Sequence, residues 1–113
     1  MAETFVNKVA ALTTTSDDGA SNGIYTAGSG VTAIIIHCQV ANVDGTNAAD
    51  LSIDLHDTSA SSAKALVSTL SVPADTAVNP IGGKLVLETG DTLRAFASAA
   101  SDLEITLGIL EIS

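Results

Sequence analysis

Both histidines and the single cysteine of this 113-residue chain fall in one stretch, VTAIIIHCQVANVDGTNAADLSIDLHD, residues 31–57. His37 and Cys38 are adjacent, and Asp54, His56 and Asp57 follow within twenty residues. Imidazole, thiolate and carboxylate are the ligands transition metals take, and Ser, His and Asp together can serve nucleophilic catalysis. Which of these chemistries is open depends on where each side chain points. The strands that carry the residues decide that.

In 51–57, Leu51, Ile53 and Leu55 alternate with Ser52, Asp54 and His56, the period of a half-buried strand with its odd positions inward. In the run before it, Ile34, Ile36, Cys38 and Val40 form the cleaner apolar row, against Ile35, His37, Gln39 and Ala41. Joined as a hairpin over 44–49, the two runs bury both apolar rows when Val43 pairs with Asp50, Cys38 with Leu55 and His37 with His56. Cys38 then points into the core and His37 away from it, so the adjacent pair cannot chelate one ion. A closed zinc site needs four converging ligands. Cys38 is expected to be a small buried hydrophobe. His37 and His56 are expected to be neighbours on the outer face, at most a weak adventitious metal site with Asp54. At a subunit interface, their protonation at about pH 6 would add like-charge repulsion.

Other chemistry finds little support. The acidic turns Asp17-Asp18-Gly19, Asp44-Gly45-Thr46-Asn47 and Asp50 lack the ligand spacing of a calcium loop and suit the backbone needs of turns. No G-x-S-x-G elbow occurs, and both histidines lie on regular strands. Gly82-Gly83-Lys84 precedes a strand, not a helix, so it is no phosphate loop. With no Trp, one Tyr and two Phe, there is little material for a stacking platform that would hold sugars or bases. Four basic against thirteen acidic residues, a net charge of −9, disfavours nucleic acid and anionic membranes and suits docking on a basic or polar protein surface. Neither enzymatic activity, a cofactor nor a metal is expected.

Strands are expected over 4–12, 24–26, 31–43, 51–57, 65–72, 84–87, 92–99 and 103–112, with the ETGD turn closing a further hairpin over 84–99. Pro73 and Pro80 fall between them. The fold class is all-β, a single antiparallel sandwich of seven or eight short strands, jelly-roll or immunoglobulin-like. Residues 1–20 form an N-terminal strand or arm with a polar loop, and 21–113 the sandwich, one domain overall. The N-terminus lacks the basic start and continuous apolar run of a signal peptide, and no run approaches the roughly 18–20 residues of a membrane span. With one cysteine and no glycosylation sequon, synthesis in a reducing cytoplasm is expected.

The last strand has Leu103, Ile105, Leu107 and Ile109 on one row, then Leu110 and Ile112 on the other. Gly108 sits at the changeover, marking either a bulge or a strand covered on both faces, the second by a neighbouring subunit. Ile35 raises the same possibility. The candidate interface is therefore Phe5, Val6, Val9 and Leu12 of the N-terminal segment together with Ile35, His37, His56, Leu110 and Ile112.

Two segments carry a family likeness: YTAGSGVTAIIIHCQVANVDGTNAADLSIDL, and PIGGKLVLETGDTLRAFASAASDLEITLGILEIS with its L-x-L-x-x-G-D-x-L-x-A pattern. Over residues 24–113 the chain resembles the small β-sandwich accessory proteins of tailed-bacteriophage virions, above all capsid decoration (cement) proteins. The resemblance implies a non-enzymatic homotrimer, made in the host cytoplasm and placed on the capsid surface. There it would bind the major capsid protein across capsomer junctions and resist the pressure of packaged DNA. Neck, tail or baseplate components are the nearest alternative. A host- or glycan-binding sandwich is the contrasting class, and the low aromatic content argues against it.

Overall fold

Apolar and polar residues alternate at period two along most of the chain, and that alternation folds into strands. The structure, a computed structural model, describes residues 2–15 and 23–113. Among these residues nine strands form: β1 (Glu3–Ala11), β2 (Gly23–Thr26), β3 (Thr32–Asn42), β4 (Ala49–Asp57), β5 (Ser62–Val72), β6 (Ala77–Val78), β7 (Leu85–Leu87), β8 (Thr92–Ala97) and β9 (Leu103–Ile112). No helix occurs among the described residues.

One sheet runs β1-β9-β3, with β6 and β7 both on the far side of β3; the other runs β2-β8-β4-β5. β6 pairs with β3 at Val40 and Ala41, and β7 pairs with it from Ala33 to Ile35. Together they act as one edge strand interrupted at 79–84, where Pro80 lies. Counted so, each sheet has four strands, and every connection except β4–β5 crosses between the sheets. That wiring is the jelly roll, not the immunoglobulin arrangement.

Both expected hairpins prove to be crossings. β3 and β4 lie in different sheets, and so do β7 and β8. Alternation specifies which row of a strand faces inward. It does not distinguish two inward rows side by side from two rows facing each other across the core. Here they face each other: Ala33, Ile35, Cys38 and Val40 of β3 and the odd row Leu103–Ile109 of β9 oppose Leu51 and Ile53 of β4 and Leu93, Ala95 and Ala97 of β8, all at most 3% exposed.

A bulge in β3 changes the phase of that row. Ile35 pairs with Ile109 and His37 with Gly108, which leaves Ile36 without a partner. Two consecutive residues then face outward: Ile36 is 42% exposed and His37 is exposed, while Ile35 is 1% and Cys38 3%. The row through Ile34 and Ile36 is therefore outside at those two positions, and Ile35, expected at the candidate interface, is a core residue. Gly108 makes room for the bulge. A Cβ there would come 3.3 Å from the His37 Cβ and 3.7 Å from Cγ1 of Ile36. β9 itself pairs with β1 in one unbroken register.

Buried polar side chains hold the crossings. Asn42, 3% exposed at the end of β3, donates from Nδ2 to the carbonyls of Asn47 at 3.0 Å and Val72 at 2.9 Å. Its Oδ1 accepts the Asp44 N–H at 2.9 Å. One amide thus fixes the β3–β4 crossing and links it to the end of β5. Asp44 Oδ1 then accepts the N–H groups of Thr46 at 2.8 Å and Asn47 at 3.3 Å. Those two donors hold its carboxyl below the usual range, so this acidic turn is structural. At the opposite end Asp91, also 3% exposed, accepts from Thr58 N and Glu88 N, each at 3.0 Å, and so ties the β7–β8 crossing to the β4–β5 turn. Gly90 in that crossing has φ +89°, with the Thr58 side chain 3.4 Å from where a Cβ would stand.

Of the strand or arm expected at the N-terminus, the structure forms the strand: β1 lies in its own chain's sheet, paired with β9 along its whole length. Leu12, expected among the contacts, is in the core at 1% exposure. The Asp17-Asp18-Gly19 turn lies outside the described residues.

Candidate interaction surface

The chemistry-bearing residues of 31–57 do not converge. Cys38 is buried, paired with Leu107. His37 points outward from the β1-β9-β3 sheet, opposite Gly108. His56 lies on β4, opposite Thr92 and in the outward row with Ser52 and Asp54, so it belongs to the other sheet's outer face. The expected His37–His56 pair is thus replaced by two histidines on opposite faces of the sandwich. Mutual repulsion on protonation is not available to them.

Burial pushes the Cys38 thiol up to about 11. In the native protein at about pH 8 Cys38 should be inert to a disulfide reagent, and it should react stoichiometrically once urea unfolds the chain. Because the unfolded thiol ionises first, stability should fall as pH rises from 9.0 towards about 11. Native-state labelling at pH 8 would overturn the placement.

Carboxylates of Asp57, Glu88 and Asp91 lie within 4.8 Å of one another at the loop end of β4 and β8. Those of Asp57 and Asp91 are already committed to backbone N–H groups, Asp57 to Ser59 and Ala60, Asp91 to Thr58 and Glu88. The Ser59 hydroxyl and the Ala60 N–H hold the Asp57 carboxyl below its usual range. The cluster thus serves the turns. Between the sheets, the Tyr25 hydroxyl donates to Glu111 Oε2 at 2.5 Å and joins β2 to β9. Burial, then this carboxylate, pushes the Tyr25 phenol above its usual value.

What the fold does assemble is an apolar row across the outer face of the β1-β9-β3 sheet. Phe5 pairs with Leu110, Leu110 with Ile34, and Ile34 with Val86. Phe5 is 74% exposed and Val86 52%, while Leu110 and Ile34 are half-buried beneath them. The bulged Ile36 adds to one flank, and Ile112 adds to the other through the Glu3–Ile112–Thr32 row. Val9 at 66% sits two rows away, opposite Thr106. Along β4 and β8 the other sheet's outer face is polar, with Asp50, Ser52, Asp54 and His56 on β4 and Thr92 and Arg94 on β8, Asp54 standing opposite Arg94; its β5 edge exposes Leu66 and Leu70.

Of the expected interface residues, Phe5, Val9, His37, Leu110 and Ile112 therefore share one face. Val6 points inward and is half-buried against the core. His56 is on the other sheet, and Leu12 and Ile35 are buried. Ile34, Ile36 and Val86 join the face without having been expected there. Val86, between Leu85 and Leu87, carries no distinct sequence signal, and Ile36 is turned outward by the bulge at His37–Gly108, which its own row does not announce.

No protein-family model matches the chain, and no curated protein sequence does. Solved structures are similar to it. Drosophila NLP-core superposes with a TM-score of 0.52 at 13% identity, over 99% of this chain and 98% of that one. A pentameric capsid protein from metagenomic phage sequences gives 0.40 at 19%, over 94% of this chain and 63% of that one. The CBM22-1 xylan-binding domain of Paenibacillus barcinonensis Xyn10C gives 0.40 at 18%, over 78% and 59%. At such identities the likeness concerns architecture, and sandwiches of this kind host unrelated functions.

Proposed function

We propose that this chain is a non-enzymatic structural protein of a tailed-phage virion, a capsid decoration protein that adds to the assembled head as a symmetric oligomer. The observation that carries the reading is the apolar row Phe5–Leu110–Ile34–Val86, exposed on one face of an otherwise acidic sandwich. A contiguous apolar patch rimmed by polar residues marks a contact with another macromolecule. The sequence resemblance over 24–113 supports the choice of a phage head, and the net charge of −9 suits a basic or polar protein surface and not nucleic acid. Jelly rolls are recurrent virion building blocks, which agrees with the reading at the level of fold alone.

Undecorated, expanded heads of the phage provide the test. The purified protein should bind them saturably and raise their thermal disruption temperature. The double variant Ile36→Ser/Val86→Ser alters two exposed positions and should keep its own stability within about 1 kcal/mol, yet lose at least about tenfold in head binding. Co-purification with tails but not heads would move the protein to the neck, tail or baseplate. Specific capture by a glycan array would favour a binding module instead.

A further inference from the structure

The described residues offer four sheet edges, and three of them carry devices that discourage a further strand. β2 is four residues long, with a register shift between Gly23 and Tyr25. β5 is long, but its register with β4 shifts twice, and Thr69 stands at φ +52° with its N–H turned to Ser52 Oγ. The far side of β3 is split into two short pieces, β6 and β7. β1 is neither short, shifted nor split, and its one feature of this kind is Lys8 on the inward row, opposite Leu107. Its nine residues pair with β9 in one unbroken register, from Glu3–Ile112 to Ala11–Glu104, without proline or a positive φ.

The hydrogen bonds show which groups of β1 are open. Ala2 and Ser113 exchange both backbone bonds, at 2.8 and 2.9 Å, and the Leu12 N–H reaches the Leu103 carbonyl at 2.8 Å. In an antiparallel ladder such pairs alternate, so the even residues of β1 face β9. Glu3, Phe5, Asn7, Val9 and Ala11 therefore present their N–H and C=O groups at the open edge.

We propose that β1 pairs antiparallel with β1 of a second copy of this chain, about a two-fold axis through Asn7. Phe5 of each copy stands opposite Val9 of the other, and Glu3 opposite Ala11. This register engages all five open residues of each strand. It also makes the outer row complementary to its own reverse: aromatic against β-branched, amide against amide on the axis, carboxylate against methyl. On the other row Val6 meets Lys8 and Thr4 meets Ala10. No two like charges are opposed, as joining two chains of net charge −9 requires. A shift of two residues sets Phe5 against Asn7 and Glu3 against Val9 and leaves an edge position unpaired. The result is one continuous sheet across both copies, carrying both apolar rows on one face. The pairing stands apart from the capsid reading, and it builds two-fold assemblies, not the isolated trimer that the resemblance implies.

Sedimentation velocity of the full chain between about 5 and 300 µM tests it, a range suited to a small interface. A monomer–dimer equilibrium is expected. Asn7→Pro removes an N–H that faces the open edge and leaves the β9 ladder intact. It should give a monomer whose circular dichroism spectrum and dilute-solution unfolding midpoint match the parent. Phe5→Lys and Val9→Glu should each weaken dimerisation about tenfold, and the two combined should restore it, because each new lysine faces the partner's new glutamate. A protein monomeric throughout the range, a trimer, a dimer indifferent to Asn7→Pro, or a double variant no better than the singles would each overturn the proposal.

Discussion

Deleting Ile36 should leave a folded protein within about 1 kcal/mol of its parent, whereas deleting Gln39, three residues along the same strand, should abolish folding. Removing one residue from a strand ordinarily exchanges the two faces of everything beyond it. At Ile36 the two halves of β3 are already one residue out of step against β9. Its removal makes Ile35–Ile109 and His37–Gly108 consecutive pairs, and every inward side chain stays inward. The loss is one isoleucine that was 42% exposed. Deleting Gln39 falls in the regular half. With Cys38 held inside, Val40 turns out to solvent, and Asn42 is lifted from its three hydrogen bonds. Exposing the valine costs about 1.5–3 kcal/mol, and stranding the buried partners of Asn42 costs a similar amount or more. Together these come to about 4.5–6 kcal/mol or more, the lower end of the 5–15 kcal/mol that holds a typical domain folded. Urea denaturation followed by circular dichroism distinguishes the two deletions. If the Ile36 deletion unfolds the protein, the bulge is not where the register places it.

The second large effect is expected at Asn42. Asn42→Ala should destabilise the protein by about 3 kcal/mol, because it leaves the Val72 and Asn47 carbonyls and the Asp44 N–H without their shared partner. The unfolding temperature should drop by roughly 10–20 °C. Asn42→Leu should be no better, since an apolar side chain fills the volume and still satisfies none of the three groups. Asp44→Asn, by contrast, keeps an acceptor for the Thr46 and Asn47 N–H groups and should change stability by less than about 1 kcal/mol. Thermal melts of the four proteins side by side read the series. A mild Asn42→Ala phenotype would show that the amide is not what holds the crossing.

These expectations also show how far the sequence could be read. Strand positions follow from local alternation, and eight of the nine were legible within a few residues. The two-residue β6 was not, because Ala77–Val78 is too short to show any period. The pairing was illegible for a physical reason. The stretch 31–57 satisfies its inward rows equally well as a hairpin and as a crossing, and only contacts with distant β8 and β9 separate the two. On the candidate surface, Leu110 and Ile112 could be read as outward from the second apolar row of the last strand, and Phe5 and Val9 only as members of an apolar N-terminal segment. Ile35 could not, since the bulge that turns it inward is set by a glycine over seventy positions away. Cys38 was read correctly as buried even with the wrong neighbour, because its row, not its partner strand, determines its burial.

The place of β9 between β1 and β3 also bears on how the chain folds. β9 is the last of the nine strands and an inner one of its sheet, so β3 must wait for it across more than half of the chain and β1 across nearly all of it. Folds built on such non-local pairing are slow, typically milliseconds to seconds, because loop closure precedes any gain in contacts. Until β9 arrives, an otherwise formed molecule holds an empty groove one strand wide, flanked by two unsatisfied ladders. The β9 of another copy fits that groove as well as its own does. At high concentration, refolding of this jelly roll is therefore exposed to exchange of its last strand between copies, a domain swap written into the order of its strands.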